Sequence, residues 1–281
     1  MTQLVTRFAP SPTGRLHLGH AFSAITAFDA AQTEGGRFLL RIEDIDASRR
    51  RPEFEAAIYE DLAWLGLSWE EPVRRQSEHM ADYEAALDRL IADGLVYRCF
   101  KTRKQLAEES VQAPHGAAGV VRGNPLPADE EEARLAAGDP FAWRLWLDRA
   151  RDRLGSRWSD LGFEADGAWI EAEPERLGDA ILARKEFPTS YHLASVWDDA
   201  LQGVTCVIRG EDLAEAAHLH ALLQALLDLP TPTYRHHRLI LGADGKRLAK
   251  RDEAATLAAL REAGETAEDV RAMVGLADEP G

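Results

Sequence analysis

The sequence predicts an α/β fold: a parallel sheet wound with helices, interrupted by an inserted α+β subdomain and followed by a short helical C-terminal part. Two observations carry that prediction. Toward both ends of the chain, apolar runs of strand length alternate with stretches of helical spacing, the repeating element of a parallel sheet. From Lys101 to about Pro174 this alternation stops, and the chain turns rich in Gly, Pro, Ala and charge.

Leu4 to Phe8 reads as a short strand, stopped by Pro10 and Pro12. Gly19-His20 opens a helical stretch in which Phe22, Ile25 and Phe28 recur at helical spacing, and Gly35-Gly36 ends it. Phe38 to Ile42 reads as an apolar run, as in a strand buried on both faces. Helices follow from about Pro52 to Leu65 and from about Ser77 to Asp93. The insert holds Trp143, Trp146, Trp158 and Trp169, read as core residues. Regular structure returns where Val204, Cys206 and Ile208 alternate as on a strand, with Cys206 buried there. A helix from about Leu213 to Leu227 and a strand from His237 to Leu241 complete the alternation. The division is 1–100 and 176–240 for the two halves of the sheet domain, 101–175 for the insert, and 241–281 for a loop and short helical C-terminus.

Composition narrows the function classes. A chain of 281 residues, 45% hydrophobic and 29% charged, can bury a sizeable core. The net charge of −15 argues against broad, nonspecific coating of nucleic acid, though not against a local basic face. Two cysteines, Cys99 and Cys206, make no disulfide framework, and no apolar run suits a signal peptide or a membrane span, so a cytoplasmic protein without a membrane partner is expected. Neither GxxxxGK[ST] nor GxGxxG occurs, so a nucleotide would need other machinery.

Ligands in open α/β sheets bind at the carboxyl ends of strands. Those ends carry Arg7 to Gly19, Glu43-Asp44, Arg209 to Glu211, and Gly245 to Lys250, with charged or histidine side chains where a plain loop has Gly, Asn and Ser. PSPTGRLHLGH at 10–20 resembles the HIGH signature of class I aminoacyl-tRNA synthetases in its glutamyl and glutaminyl form. RIEDID at 41–46 resembles their second block, and RLAKR at 247–251 their KMSKS loop. The similarity extends over about 1–100 and 176–255 and implies a Rossmann-type catalytic domain that makes an aminoacyl adenylate from ATP with Mg²⁺.

The resemblance assigns roles residue by residue. His17, His20 and Lys250 are the catalytic residues, the histidines donating to phosphate oxygens and the lysine neutralising the leaving pyrophosphate. Pro12, Gly19 and Arg247 join them around ATP. Arg7, Ala9, Ser11, Glu43, Tyr191 and Arg209 surround L-glutamate, with Arg7 on the side-chain carboxylate and Glu43 on the α-amino group. Asp44 is given a structural role.

Only 31 residues follow Lys250, too few for the anticodon-binding region of a full glutamyl enzyme. This resembles the glutamyl-Q tRNA(Asp) synthetases, stand-alone paralogues that attach glutamate to the queuosine base of tRNA(Asp), and a monomer is expected. Two departures stand out. Many relatives hold zinc in the insert, but Lys101 occupies the position of a second cysteine, and Cys99 with His115 cannot supply four ligands, so zinc is expected to be absent. The loop has lost its serine at Ala249 and its first lysine at Arg247, while Lys250 keeps the essential charge. Two rivals remain: a truncated glutamyl-tRNA synthetase charging tRNA(Glu), and a catalytically silent synthetase-like RNA-binding module. Arg49 to Arg51, the arginines at 149, 151, 153 and 157, and the Arg235-His236-His237-Arg238 cluster read as solvated faces or as RNA contacts.

Overall fold

A computed structural model describes residues 3–102, 105–106, 121–123, 125–184, 187–240 and 256–276. In chain order its first elements are β1 (Val5–Phe8), α1 (Leu18–Thr33), β2 (Arg37–Ile42), α2 (Pro52–Trp64), β3 (Arg74–Arg75), α3 (Met80–Ala92) and β4 (Val96–Cys99). Then come α4 (Ala128–Ala136), β5 (Ala142–Leu145), α5 (Leu147–Leu154), β6 (Gly162–Ala165), β7 (Ala168–Glu171) and β8 (Ile181–Arg184). The last are α6 (Tyr191–Leu201), β9 (Cys206–Gly210), α7 (Ala216–Leu227), β10 (Thr233–His237), α8 (Leu257–Glu262) and α9 (Ala267–Met273).

The chain forms two compact units. The first comprises residues 1–78, 203–214 and 232–281. Its strands run parallel: β1 pairs with β2, β2 with β3, and β9 with β10. β9 runs beside β1, where Thr205 N donates to Val5 O at 3.0 Å. Alanines 21, 24, 27 and 31 of α1 are buried, and their small side chains let the helix lie close on the sheet. Gly35, at φ 60°, turns the chain out of that helix, as the left-handed region requires of a residue without Cβ. Pro52 opens α2 at a position that needs no N–H, and Glu53 and Glu55 favour the positive end of its dipole. Phe8, Ile25, Leu40, Ile42, Ile58, Leu62 and Ile208 centre the core.

The second unit comprises residues 79–202 and 215–231. Its antiparallel sheet runs β4-β5-β8, and β6 with β7 forms a hairpin. Leucines 87, 90, 145, 154, 182, 193, 219 and 222 form one core joining α3, α5, α6 and α7 to that sheet. This shared core is why the compact unit reaches beyond the 101–175 boundaries read from sequence.

Four local expectations are corrected. The strand expected at 237–241 is β10, at Thr233–His237, because Tyr234 is buried there while 238–240 have no regular structure; Leu241 lies outside the described residues. The helix expected from Ser77 begins at Met80, after a 3₁₀ turn over Gln76–Glu78. Val204, Cys206 and Ile208 do not alternate with exposed neighbours, since Val207 and Arg209 are buried as well. Trp169 is not core: it is 64% exposed, lying across Gly162, whereas Trp143 and Trp158 pack against the unit's core.

Candidate active site

The site in the first unit is built on the turn between β1 and α1. Pro10 and Pro12 are buried, and their carbonyls hold the chain after β2: Glu43 N, in the RIEDID segment, donates to Pro10 O at 3.0 Å, and Arg51 N, just before α2, to Pro12 O at 3.1 Å. Two signature segments separate in sequence are thereby joined through a backbone hydrogen bond. Ser11 closes the tight turn by accepting from Thr13 N at 2.8 Å, and Ala9 and Ser11 are half-buried beside it.

The two histidines hold each other. His17 is the N-cap of α1 in extended conformation, and its Nδ1 accepts from Gly19 N at 3.1 Å. His20, three residues on, accepts from His17 N at 3.2 Å through its own Nδ1. This reciprocal arrangement is a capping box made of imidazoles, with ring centroids 3.9 Å apart. A ring nitrogen that accepts carries no hydrogen, so each neutral ring carries its hydrogen on Nε2, a donor at the helix N-terminus. Gly19 makes room for this: a Cβ there would lie 3.1 Å from His17 Cε1.

The charged side chains come from strand ends. Arg7, on β1, is buried and donates to Ile208 O at 3.3 Å. Arg41, fully buried at the end of β2, donates to Glu43 Oε1 at 3.2 Å and fixes that carboxylate at the strand's exit. Arg209, buried at the end of β9, stacks its guanidinium 5.2 Å from the Tyr234 ring centroid. Asp44 has the structural role expected of it: it accepts from Ser77 N at 2.8 Å, Ser77 Oγ at 2.5 Å and Arg50 Nη1 at 2.8 Å, tying the loop after β2 to the 3₁₀ turn. Asp46 accepts from Ser48 and Arg49, which pull its carboxyl down to a pKa of about 2.

Arg247 and Lys250 lie outside the described residues. The chain returns from that segment at Thr256, which forms an antiparallel bridge with His17, while Leu257 N donates to Leu16 O at 2.9 Å. Tyr191 belongs to the second unit, at the first turn of α6. Its ring lies 5.3 Å from His192 and 5.7 Å from His220, and those two histidines touch through ring nitrogens at 3.2 Å. Sequence reasoning missed half-buried His192 and buried His220, because nothing local in the sequence separates them from exposed histidines. It also passed over Arg41 as a supporting residue, although a charged residue inside an apolar strand is a signal.

Of the arginines read as solvated faces or RNA contacts, Arg49 and Arg50 pair with Asp46 and Asp44, and Arg235 pairs with Glu34 at 2.9 Å. Among the described residues no group of three or more His, Cys, Asp or Glu could hold a metal ion. Cys99 and Cys206 are free and buried, and His115 lies outside the described residues. No helix among the described residues is long and apolar enough to cross a membrane.

The family model described as tRNA synthetases class I (E and Q), catalytic domain, matches residues 3–277. The chain belongs to this family. Among curated relatives, the glutamyl-Q tRNA(Asp) synthetase of Rhodobacter capsulatus is 47% identical over 97% of this chain and 100% of its own length. That of Nocardia farcinica is 40% identical over 95% of this chain and 82% of its own. Among solved structures, the glutamate-tRNA synthetase of Elizabethkingia anophelis matches with a TM-score of 0.73 at 28% identity, over 89% of this chain. The chain spans about half the length of that enzyme, 53% of it. As a class I synthetase domain, the chain keeps both signature histidines, the RIED block and the arginines of the strand ends in one compact unit.

Proposed function

We propose that this chain activates L-glutamate with ATP and transfers it to the queuosine base of tRNA(Asp), acting as a cytoplasmic monomer. The reciprocal histidine cap, at the end of a turn whose Pro10 carbonyl accepts from Glu43 N, is the observation that carries the reading. A carboxylate oxygen of glutamate attacks the α-phosphorus, the bond to pyrophosphate breaks, and glutamyl adenylate forms. The queuosine base then takes the glutamyl group and AMP leaves. Both steps gather negative charge on oxygen, so the residues act mainly by placement and electrostatics.

His17 and His20 donate from Nε2 to phosphate oxygens, helped by the positive end of α1. Arg7 binds the side-chain carboxylate, which favours glutamate over its amide, since a guanidinium fork pairs with two carboxylate oxygens. Glu43 binds the α-amino group, with Ala9, Ser11, Tyr191 and Arg209 completing the glutamate contacts. Pro12 and Gly19 bound the ATP side. Lys250 neutralises the leaving pyrophosphate, with Arg247 beside it and Mg²⁺ entering with ATP. The antiparallel bridge between Thr256 and His17 supports that role, because the chain re-enters beside the histidines six residues after Lys250. No structural zinc is required, because Cys99-Phe100-Lys101 offers one thiolate where four ligands are needed.

The choice of tRNA(Asp) rests on relatives named glutamyl-Q tRNA(Asp) synthetase being matched over 100% and 82% of their own length. The rival, charging of tRNA(Glu) at its terminal ribose, shares the activation step. Two assays decide. Glutamate-dependent ATP–pyrophosphate exchange must occur, and its absence refutes activation. Labelled glutamate must then pass to queuosine-bearing tRNA(Asp) and not to unmodified tRNA(Asp) or to tRNA(Glu); charging of tRNA(Glu) would establish the rival instead.

A further inference from the structure

Asp61, on α2, is fully buried and takes no part in the chemistry above. Its Oδ1 accepts from Arg261 Nη1 at 3.0 Å, while Oδ2, equally buried, has no hydrogen-bond partner among the described residues. Arg261, on α8, also reaches Glu60 Oε2 at 2.9 Å and lies 5.9 Å from the Trp64 ring centroid. One guanidinium thus grips two consecutive carboxylates of α2 and covers a ring one turn further on. A buried carboxylate with one oxygen unsatisfied is a poor source of stability, and an apolar pair of similar volume would fill the space at less cost. What an ion pair supplies better is a defined position.

The element it positions is α8, six residues long and too short to persist without tertiary contacts. Thr256 caps it by accepting from Ala259 N at 3.2 Å, and Leu257 and Ala258 are buried. Immediately before the helix, Thr256 bridges His17 and Leu257 N donates to Leu16 O. His17 is the cap residue whose extended backbone sets where both imidazoles stand.

We propose that Asp61 and Arg261 are positioning residues for the activation step: their ion pair joins α2 to α8, holds Thr256 and Leu257 against Leu16 and His17, and so fixes the cap on which the two histidines are aligned. The inference rests on the phosphate-facing role given to those histidines. Burial raises the Asp61 pKa to about 6, against the opposing pull of Arg261. The charged groups facing it are Arg261 from α8, Glu60 from α2 and Arg15 from the turn before α1. Ionised Asp61 attracts Arg261 by full charge, whereas neutral Asp61 keeps only a hydrogen bond. The alignment therefore loosens as pH falls through about 6.

Asp61→Asn, Arg261→Met and Arg261→Lys in the full chain test this, by amide hydrogen exchange and by the pH profile of glutamate-dependent ATP–pyrophosphate exchange. In Asp61→Asn and Arg261→Met, the Leu257 amide should exchange about tenfold faster and kcat/KM should fall about tenfold, the scale of a small misplacement at the reacting groups. Arg261→Lys should recover part of both. The wild-type acid limb near pH 6 should be missing from Asp61→Asn. Should Arg261→Met not fold, Asp61→Asn and Arg261→Lys carry the same comparison. Wild-type Leu257 protection in the variants, or an unchanged acid limb in Asp61→Asn, overturns the inference alone. A wild-type protein without glutamate-dependent exchange overturns the functional reading instead.

Discussion

Replacing Gly19 with alanine isolates what the histidine cap contributes to chemistry from what it contributes to the fold. The new Cβ would stand 3.1 Å from His17 Cε1 and 3.2 Å from Nδ1, inside the roughly 3.5–4.0 Å of an ordinary carbon contact. The imidazole must retreat by a few tenths of an ångström. It cannot do so alone, because Nδ1 accepts from the Gly19 amide at 3.1 Å and its ring centroid lies 3.9 Å from that of His20. Stability should change little. Alanine gains up to about 1 kcal/mol of helix propensity over glycine, and a weakened N-cap loses about 0.5–2 kcal/mol, so the two nearly cancel. Activation is not protected by that cancellation. Full loss of one oriented donor costs about 10²–10³ in rate, and displacing two donors without removing either should cost about 10–100-fold in kcat. Urea unfolding and glutamate-dependent ATP–pyrophosphate exchange on the same preparation separate the two effects. A variant with wild-type kcat would refute the proposal that these rings are aligned through Gly19. A stability loss above about 2 kcal/mol would refute the cancellation.

Three further outcomes are expected. Glu43→Gln keeps an acceptor for buried Arg41 but removes the charge offered to the α-amino group, so exchange should fall at least about 100-fold while the melting temperature stays within a few degrees; wild-type exchange would remove Glu43 from the pocket. Asp44→Ala deletes the acceptor for Ser77 N, Ser77 Oγ and Arg50 and should destabilise by about 2–4 kcal/mol in urea, with a change below about 0.5 kcal/mol counting against its structural role. Asp61 has a folded pKa of about 6, above its unfolded value of 3.8, so its contribution to stability is fully present below pH 4 and is lost as pH rises through about 6. Wild type should therefore lose up to about 3 kcal/mol relative to Asp61→Asn between pH 4 and pH 7 in parallel urea titrations, and a pH-independent difference would contradict the raised pKa.

The parts of this molecule that were legible in the sequence are those whose geometry is local. A mostly apolar strand, a helix opened at Gly19-His20, and two histidines three residues apart all follow from periodicity and capping within one short stretch. The sequence pattern places the last strand at 237–241 rather than at 233–237, because Leu239 and Ile240 look more strand-like than Tyr234, whose burial depends on β9 alongside it. Trp169 reads as core because a large ring usually is buried, yet it lies across Gly162 and is largely exposed. The supports of the site were the least legible. Arg41 under Glu43, Ser77 under Asp44 and Thr256 beside His17 come from distant chain segments, and no local pattern announces such pairs.

The histidine cap also constrains the chemistry that this site can perform. Each Nδ1 is committed to accepting a backbone N–H, so neither imidazole can take a proton at that nitrogen without setting two donors face to face. What remains is Nε2–H on each ring, suited to stabilising negative oxygen and unsuited, in that tautomer, to removing a proton. Adenylate formation asks for nothing else. The attacking glutamate carboxylate is already ionised, pyrophosphate leaves as an anion, and no proton need move as the phosphorus bond forms. A site meant for general base catalysis would keep a ring nitrogen able to accept; here both Nδ1 atoms accept from the backbone and each Nε2 carries the hydrogen.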